Sequence, residues 1–112
     1  MSEVVVVGSF TAQPGKEAEA VEAFKALVEP THREEGCILY ALHQGTDDPR
    51  RLAFIERWAS RDLLNTHLES EHVKKILERI EEIFGDKADI VVYEPLPGGE
   101  TKKGSLAAHA GA

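Results

Sequence analysis

The sequence of 112 residues contains little of what disulfide-stabilised, secreted or membrane proteins require. Cys37 is its only cysteine, which excludes an internal disulfide framework and a metal site built from several cysteines. The apolar run Val4 to Val7 follows no basic segment and is far too short for a signal-peptide core or a membrane span. We therefore expect no membrane partner and a cytoplasmic location.

Positive charge is also scarce, with 13 Lys and Arg against 20 Asp and Glu and a formal net charge of −7. A surface of this average sign repels phosphate backbones, so a nucleic-acid partner is not expected. The sequence also lacks a glycine-rich phosphate loop, an H-x-x-x-H metal pair and a serine-centred nucleophile elbow. Because these signals are missing, we expect neither a resident metal nor a cofactor.

What is present is the composition of one globular domain. Hydrophobic residues make up 42% and charged residues 29%, as in ordinary soluble proteins, and a chain this short leaves little room for a second core. Beyond residue 97 the sequence turns to Gly, Lys, Ala and Ser without periodicity. We predict a domain over residues 1–97 and a tail over residues 98–112 that is flexible or contacts a partner.

The spacing of apolar residues predicts a sheet of four strands with helices between them. Runs of β-branched and aromatic residues bounded by turn formers indicate strands at residues 4–11, 37–44, 52–59 and 88–96. A helix begins near Lys16, with a kink or restart expected at Pro30. Ser60 and Ser70 are expected to cap a short helix and then one long helix over residues 71–84. This order predicts an α+β, ferredoxin-like βαββαβ fold with one antiparallel sheet and helices on one face.

The predicted strands carry apolar side chains on both faces of the sheet. In the second strand Leu39 alternates with Tyr40 across the sheet. In the third strand Ile55 lies on one face, and the opposite face carries Leu52, Phe54, Glu56 and Trp58. The chain has enough helix to cover only one of these faces. The other face is best covered by the sheet of a second copy related by a two-fold axis, which predicts a homodimer.

The middle of the chain resembles a known family. Glu56-Arg57-Trp58 and residues 63–72, Leu-Leu-Asn-Thr-His-Leu-Glu-Ser-Glu-His, are similar to the E-x-W, L, H-L-x-S-x-H signature of antibiotic biosynthesis monooxygenase (ABM) domains. Pro14-Gly15-Lys16 and the run from Glu35 to Leu42 follow the same pattern, so the resemblance covers roughly residues 4–95. It implies a dimeric α+β barrel made of two sheets packed face to face.

The functional implication of this resemblance is broader. The family includes cofactor-free quinol and polyketide oxygenases, haem-degrading enzymes, isomerases of signal molecules and members without assigned activity. The haem-degrading branch uses an Asn near the end of the first strand with a Trp and a His on the later helices. By counting from the family motifs, these positions fall on Gly8, His67 and Leu77. The sequence departs at all three, so we do not expect haem degradation.

Three polar side chains are the candidate catalytic groups. His67 lies four residues after Leu63 on the apolar side of its helix, and is either a proton acceptor or a core histidine bonded to a backbone carbonyl. His72 begins the long helix, whose dipole lowers its affinity for a proton, and is either a neutral donor or a capping and packing residue. Glu56 lies within a strand and requires a partner, Arg33 or a histidine, or a raised pKa; it is either a structural ion-pair member or a catalytic acid.

Aromatic residues are the candidate substrate contacts. A pocket between sheet and helices, walled by Phe10, Phe24, Phe54 and Trp58, would suit a flat aromatic substrate. Trp58 and Tyr40 are either core residues or contacts that shape this pocket. His43 is a further candidate for substrate binding, although it points away from the face of Tyr40 and would then lie at the dimer interface.

Through the oxygenase branch of the family, the resemblance implies a cofactor-independent monooxygenase that oxidises a quinol or polyphenol with dioxygen. His67 removes a phenolic proton, the phenolate reduces dioxygen, and the pair recombines in a dry cavity. One alternative is an isomerase, a decarboxylase or another proton-shuttling enzyme on the same scaffold. Another is a non-catalytic stress-response module that binds a small ligand. Turnover without oxygen would favour the first alternative, and a filled core beside His67 would favour the second.

Overall fold

The structure, a computed structural model, describes residues 2–85 and 88–106. Its elements in chain order are β1 (Val4–Thr11), α1 (Glu17–His32), β2 (Cys37–Gln44), β3 (Arg51–Trp58), α2 (Arg61–Leu68), α3 (Glu71–Leu77), α4 (Ile80–Phe84) and β4 (Ala88–Tyr93). This order confirms the predicted α+β, ferredoxin-like arrangement. Within the two described ranges, no helix combines the length and the apolar character needed to cross a membrane.

The four strands form one antiparallel sheet in the order β2-β3-β1-β4. The two central strands, β3 and β1, pair along their full length, with Val6 opposite Glu56. On the other side of β3, Tyr40 of β2 is opposite the same Glu56. Glu56 therefore lies in the middle of the sheet, between hydrogen-bonded neighbours, and its side chain is held on the face that the helices cover.

The core lies between that face and the helices, and Phe24 of α1 is at its centre. The ring of Phe24 lies 4.8 Å from that of Phe10, 5.0 Å from that of Phe54 and 4.8 Å from that of Phe84. Such contacts favour edge-on and offset arrangements of the rings, which fix their relative positions. The aromatic cluster therefore ties α1 to β1, β3 and α4.

The predicted long helix over residues 71–84 is wrong, because the structure divides it into α3 and α4. The chain turns at Arg79, whose backbone N–H bonds to the carbonyl of Ile76. After the turn, the amide of Gln13 donates to the carbonyls of Glu81 and Glu82 at 3.0 and 3.2 Å. The bend thus brings the last turn of α4 against the segment that follows β1. Periodicity within 71–84 contains no information about that contact.

Other boundaries also differ from those predicted. Helix α1 continues through Pro30 to His32 and does not restart there. Because Pro30 lies in the last turn of α1, its missing N–H removes only one backbone hydrogen bond, and only two helical residues come after it. Strand β4 ends at Tyr93 and not at residue 96. Tyr93 pairs with Val5, and since β1 begins at Val4, the partner strand ends soon after this pair. The predicted caps are confirmed: the hydroxyls of Ser60 and Ser70 accept from the backbone N–H of the third following residue.

The second face of the sheet is apolar, and no helix among the described residues lies on it. Val5, Val7 and Ile55 on this face are half-buried, and Tyr93 is 49% exposed. The predicted tail, residues 98–112, is described as far as Leu106, and its last described residues lie beside Glu3 and Val5 at one corner of this face. Residues 107–112 lie outside the described residues. Most of the face is therefore available for a further covering element.

Candidate functional site

A cavity of about 430 Å³ lies between the helix-covered face of the sheet and the helices. Three of the side chains that line it are largely exposed and mark its open end: Leu68 at 47%, Leu77 at 55% and Ile90 at 57%. Tyr40, Glu56 and His67 also line it, and all three are buried. The remaining lining side chains are apolar, so the cavity offers a nonpolar volume with polar groups at its buried part.

Three elements bring these polar groups together. Tyr40 and Glu56 are cross-strand neighbours on β2 and β3, with their side chains on the same face. His67 lies in the last turn of α2, whose start is fixed by the Ser60 cap. The ring of His67 is 5.4 Å from that of Tyr40 and 4.6 Å from that of Trp58. Strand pairing and helix capping together therefore define this end of the cavity.

Glu56 is a buried carboxyl with an indole as its partner. Trp58, two residues along β3, donates its Nε1–H to Glu56 Oε1 at 2.9 Å. The expected partner, Arg33 or a histidine, is not the one observed, since Arg33 lies 3.4 Å from Glu29. Burial raises the pKa of Glu56 to about 7, the Trp58 hydrogen bond opposes this rise, and the charge of Glu34 adds to it. Both the protonated and the ionised forms are thus populated near neutrality.

His67 has one ring nitrogen held by a carboxylate. Its Nδ1–H donates to Glu34 Oε2 at 2.8 Å, so the neutral ring keeps its lone pair on Nε2. Burial lowers the pKa of His67, although the hydrogen bond and the charge of Glu34 act in the opposite direction. The ring is therefore neutral at neutral pH. The free lone pair of His67 is on Nε2, the ring nitrogen that does not face Glu34. Glu34 itself does not line the cavity.

Glu34 was not identified from the sequence. It lies in the turn between α1 and β2 and also accepts from His72 Nε2 at 2.6 Å; that nitrogen is 3.2 Å from Ser70 Oγ as well. Glu34 is 33 positions from His67 and 38 from His72 along the chain. An acid in a turn usually indicates only a solvated side chain. Nothing local in the sequence marks Glu34, and only the packing of α1 against α2 and α3 brings it to the two histidines.

The structure separates the other predicted site residues into three groups. Phe10, Phe24 and Phe54 line the cavity together with Tyr40. Trp58 does not line it, and lies fully buried behind Glu56 and His67. His72 is half-buried beside Glu34, outside the cavity. His43 is exposed on the face of the sheet opposite Tyr40, in a groove that also contains Ser9, Gln44 and Arg51.

Two further ionisable groups remain protonated at neutral pH. Burial raises the pKa of Tyr40 above its ordinary value, and the charge of Glu56 adds to the effect. Tyr40 therefore presents a phenol and not a phenolate. Burial likewise raises the pKa of the Cys37 thiol to about 11. Because the thiolate is the reactive form of cysteine, Cys37 is not a candidate nucleophile.

The positions compared with the haem-degrading branch all lie on the cavity. Gly8, His67 and Leu77 are each among its lining residues. The cavity thus occupies the place where the motif counting located the reactive residues of that branch. At these positions the cavity is lined by a glycine, a histidine and a leucine, whereas the haem-degrading branch uses an Asn, a Trp and a His.

Residues 3–79 match the family model described as antibiotic biosynthesis monooxygenase. "Putative monooxygenase Rv0793" from Mycobacterium tuberculosis is 28% identical over 95 residues, covering 85% of this chain and 93% of that protein. The structure of Rv0793 superposes with a TM-score of 0.81 at 27% identity, covering 88% of this chain and 100% of that chain. Both comparisons include the segments that carry Glu34, Glu56 and His67.

Two other relatives show the same similarity. PA3566 from Pseudomonas aeruginosa has a TM-score of 0.81 and 27% identity, covering 86% of this chain and 96% of that chain. The protein sll1783 from Synechocystis, described as uncharacterized, is 25% identical over 91 residues, or 81% of this chain. The chain spans 62% of the length of sll1783, which is less than two thirds.

Proposed function

Since the chain belongs to the antibiotic biosynthesis monooxygenase family, we propose that it is a cofactor-independent monooxygenase that oxidises a quinol or polyphenol inside its cavity. One observation carries this proposal: a neutral histidine, a phenol and a carboxyl with a pKa of about 7 share the buried part of an otherwise apolar cavity. Proton transfer groups in a nonpolar, sheltered volume are what the reaction of a phenolate with dioxygen requires.

The reaction needs no external reductant, because the substrate supplies the electrons. His67 Nε2 takes the proton of a phenolic hydroxyl, and the phenolate transfers one electron to dioxygen. The resulting radical pair combines at a ring carbon to give a peroxide. Cleavage of the O–O bond leaves one oxygen atom on the ring as a quinone and releases the other as water, with the protons returned from His67 and the ring carbon.

Glu56 and Tyr40 have supporting roles in this proposal. Tyr40 donates a hydrogen bond from its phenol to a substrate oxygen. Glu56 in its protonated form passes a proton to the departing oxygen as the O–O bond breaks and is reprotonated by the proton that leaves the ring carbon. Trp58 acts through these residues, since it holds Glu56 by a hydrogen bond and packs on His67. His72 acts through Glu34. The walls made by Phe10, Phe24 and Phe54 favour a flat aromatic substrate.

Oxygen consumption tests this proposal directly. The purified protein is incubated with a panel of quinols and polyphenols in an oxygen electrode, and products formed under ¹⁸O₂ are analysed by mass spectrometry. We expect one labelled oxygen atom in the product for each O₂ consumed. Absence of oxygen uptake with every member of the panel would overturn the proposal. Turnover of a small ketone or phosphorylated sugar under argon would instead favour the isomerase alternative, since His67 and Glu56 form an acid–base pair without dioxygen.

A homodimer is part of the same proposal. The apolar second face of the sheet supports it, and so does Arg57 on that face, which pairs with Glu3. Nη1 of Arg57 is buried and has no hydrogen-bond partner within the described residues, an unusual state that an acceptor from a second copy would relieve only if the side chain shifts on pairing. The small aromatic substrate, dioxygen and the cytoplasmic location stay predictions, as does the absence of a nucleic-acid partner.

Replacement of Ile55 by glutamate is expected to prevent this pairing. Ile55 is half-buried in the middle of the second face, between Val7 and Ala41, and a charge there would have to be desolvated on pairing. Light scattering after size exclusion should give twice the 12.3 kDa chain mass for the wild type and about 12.3 kDa for the variant. Asn65→Glu, on an exposed position of α2, is the control and should remain dimeric. A monomeric wild type would contradict the prediction.

A further inference from the structure

Two histidines and one carboxylate converge on the side of His67 that is away from the cavity. Glu34 Oε2 lies 2.8 Å from His67 Nδ1 and 2.6 Å from His72 Nε2, and the three atoms that can act as ligands lie within 4.8 Å of one another. Glu34 comes from the turn after α1, His67 from α2 and His72 from α3. Because three separate elements hold them, packing of the fold maintains their convergence.

We propose that Glu34, His67 and His72 form a binding site for one divalent transition-metal ion. Imidazole nitrogen and carboxylate oxygen bind zinc and neighbouring metals at about 2.0–2.2 Å, so ligand atoms around a tetrahedral ion are roughly 3.3 Å apart. The observed N···O separations of 2.6 and 2.8 Å must open by about half an ångström to admit such an ion. The side chains of Glu34 and His72 are half-buried and so have room for this shift.

Burial and charge favour a metal at this position. His67 closes one side of the cluster, and Glu34 and His72 connect it to the surface, which leaves a route of entry. One carboxylate and two imidazoles are suitable ligands for a divalent cation, and the chain as a whole carries net negative charge. Three protein ligands leave a position for water, as in open sites. Trp58 packs on His67 and restricts the orientation of that ligand.

The ion changes which nitrogen of His67 carries its proton. Binding requires the lone pairs of His67 Nδ1 and His72 Nε2, so in each neutral ring the proton moves to the other nitrogen. The total number of protons is unchanged, and two hydrogen bonds are replaced by metal–ligand bonds. His67 Nε2 then donates and no longer accepts. On the basis of the proposed function, we therefore expect that the protein with a bound metal ion lacks its proton acceptor and oxidises quinols more slowly.

Binding is tested with cobalt and zinc, without substrate. Tag-free protein is treated with EDTA, dialysed and titrated with Co²⁺, whose visible absorption reports the coordination, and Zn²⁺ binding is measured by calorimetry. We expect one ion per chain. Glu34→Gln and His72→Ala are expected to weaken binding by at least about 10-fold, whereas His43→Ala, which removes an exposed histidine outside the cluster, should bind as the wild type does.

The wild-type titration alone decides the proposal if a variant does not fold, as judged by circular dichroism. A wild type without one-to-one binding would overturn it, as would equal binding by the wild type, Glu34→Gln and His72→Ala. The latter result would mean that the cluster is a hydrogen-bonded support for His67 only. A protein that binds Co²⁺ but consumes no oxygen even in its metal-free form would refute the proposed monooxygenase and not the metal site. Oxygen consumption without Co²⁺ binding would refute the metal site alone.

Discussion

Replacement of His67 by alanine is expected to lower kcat for quinol oxidation by about 10²- to 10⁴-fold, the usual contribution of a positioned general base. His67 is the neutral histidine on the cavity and the proposed base, and its Nε2 lone pair is fixed by the hydrogen bond from Nδ1 to Glu34. Alanine removes the acceptor and leaves Glu34 and His72 paired. Initial rates of oxygen uptake across a range of quinol concentrations measure the change and separate kcat from KM.

Two further variants distinguish this role from a structural one. His67→Gln fills most of the same volume without a base of suitable pKa, so it should be about as inactive as His67→Ala while retaining more of the packing against Trp58. Raising the pH should partly restore both variants, because a larger fraction of the quinol is then ionised without help. Full activity in His67→Gln would show that His67 is a core histidine, the other interpretation of its position.

Glu56→Gln is expected to be more stable than the wild type, by a margin that grows with pH. Glu56 has a pKa raised from 4.5 to about 7 in the folded protein. Between these values the folded state binds more protons than the unfolded state, so the stability contributed by Glu56 is complete below pH 4.5 and is lost as pH rises through 7. At 1.36 kcal/mol per unit, the difference between variant and wild type should be about 1 kcal/mol at pH 5.5 and about 3 kcal/mol at pH 8.

Urea denaturation at a series of pH values measures this difference. The protein concentration is kept fixed, because the stability of the proposed dimer would depend on it. Glutamine keeps an oxygen that can accept the Trp58 hydrogen bond, so the substitution isolates the ionisation of Glu56. The control is Glu22→Gln, at an exposed position of α1, for which the two curves should differ little. A difference between Glu56→Gln and the wild type that is independent of pH would show that Glu56 is not held neutral by burial.

The strands could be predicted because their signals are local. Alternation of side chains follows from backbone stereochemistry, so the sides of the sheet occupied by Leu52, Phe54, Glu56 and Trp58 were assigned correctly from residue order. The caps at Ser60 and Ser70 were predicted for the same reason, since each involves a residue and its own third neighbour. The irregularity in β2 between Cys37 and Leu39, where Ile38 is exposed, was not predicted, because it depends on the pairing of β2 with β3.

The candidate site was predicted only in part. Spacing placed His67 on the apolar side of its helix, and strand alternation placed Glu56 with the aromatic side chains. The partner of Glu56 was assigned to the wrong residues, since a strand neighbour two positions away, Trp58, reaches it first. Glu34 was absent from the prediction altogether.

By itself, the sequence determined the number of strands, their order along the chain, the two apolar faces of the sheet and the starts of α1, α2 and α3. Each of these depends on the chemistry of residues close together in the chain. Only the tertiary structure decided that α3 and α4 are separate, that Trp58 does not line the cavity, and that Glu34 joins His67 to His72. Those outcomes depend on how distant segments pack, where burial and hydrogen bonding between elements outweigh the preference of any one segment.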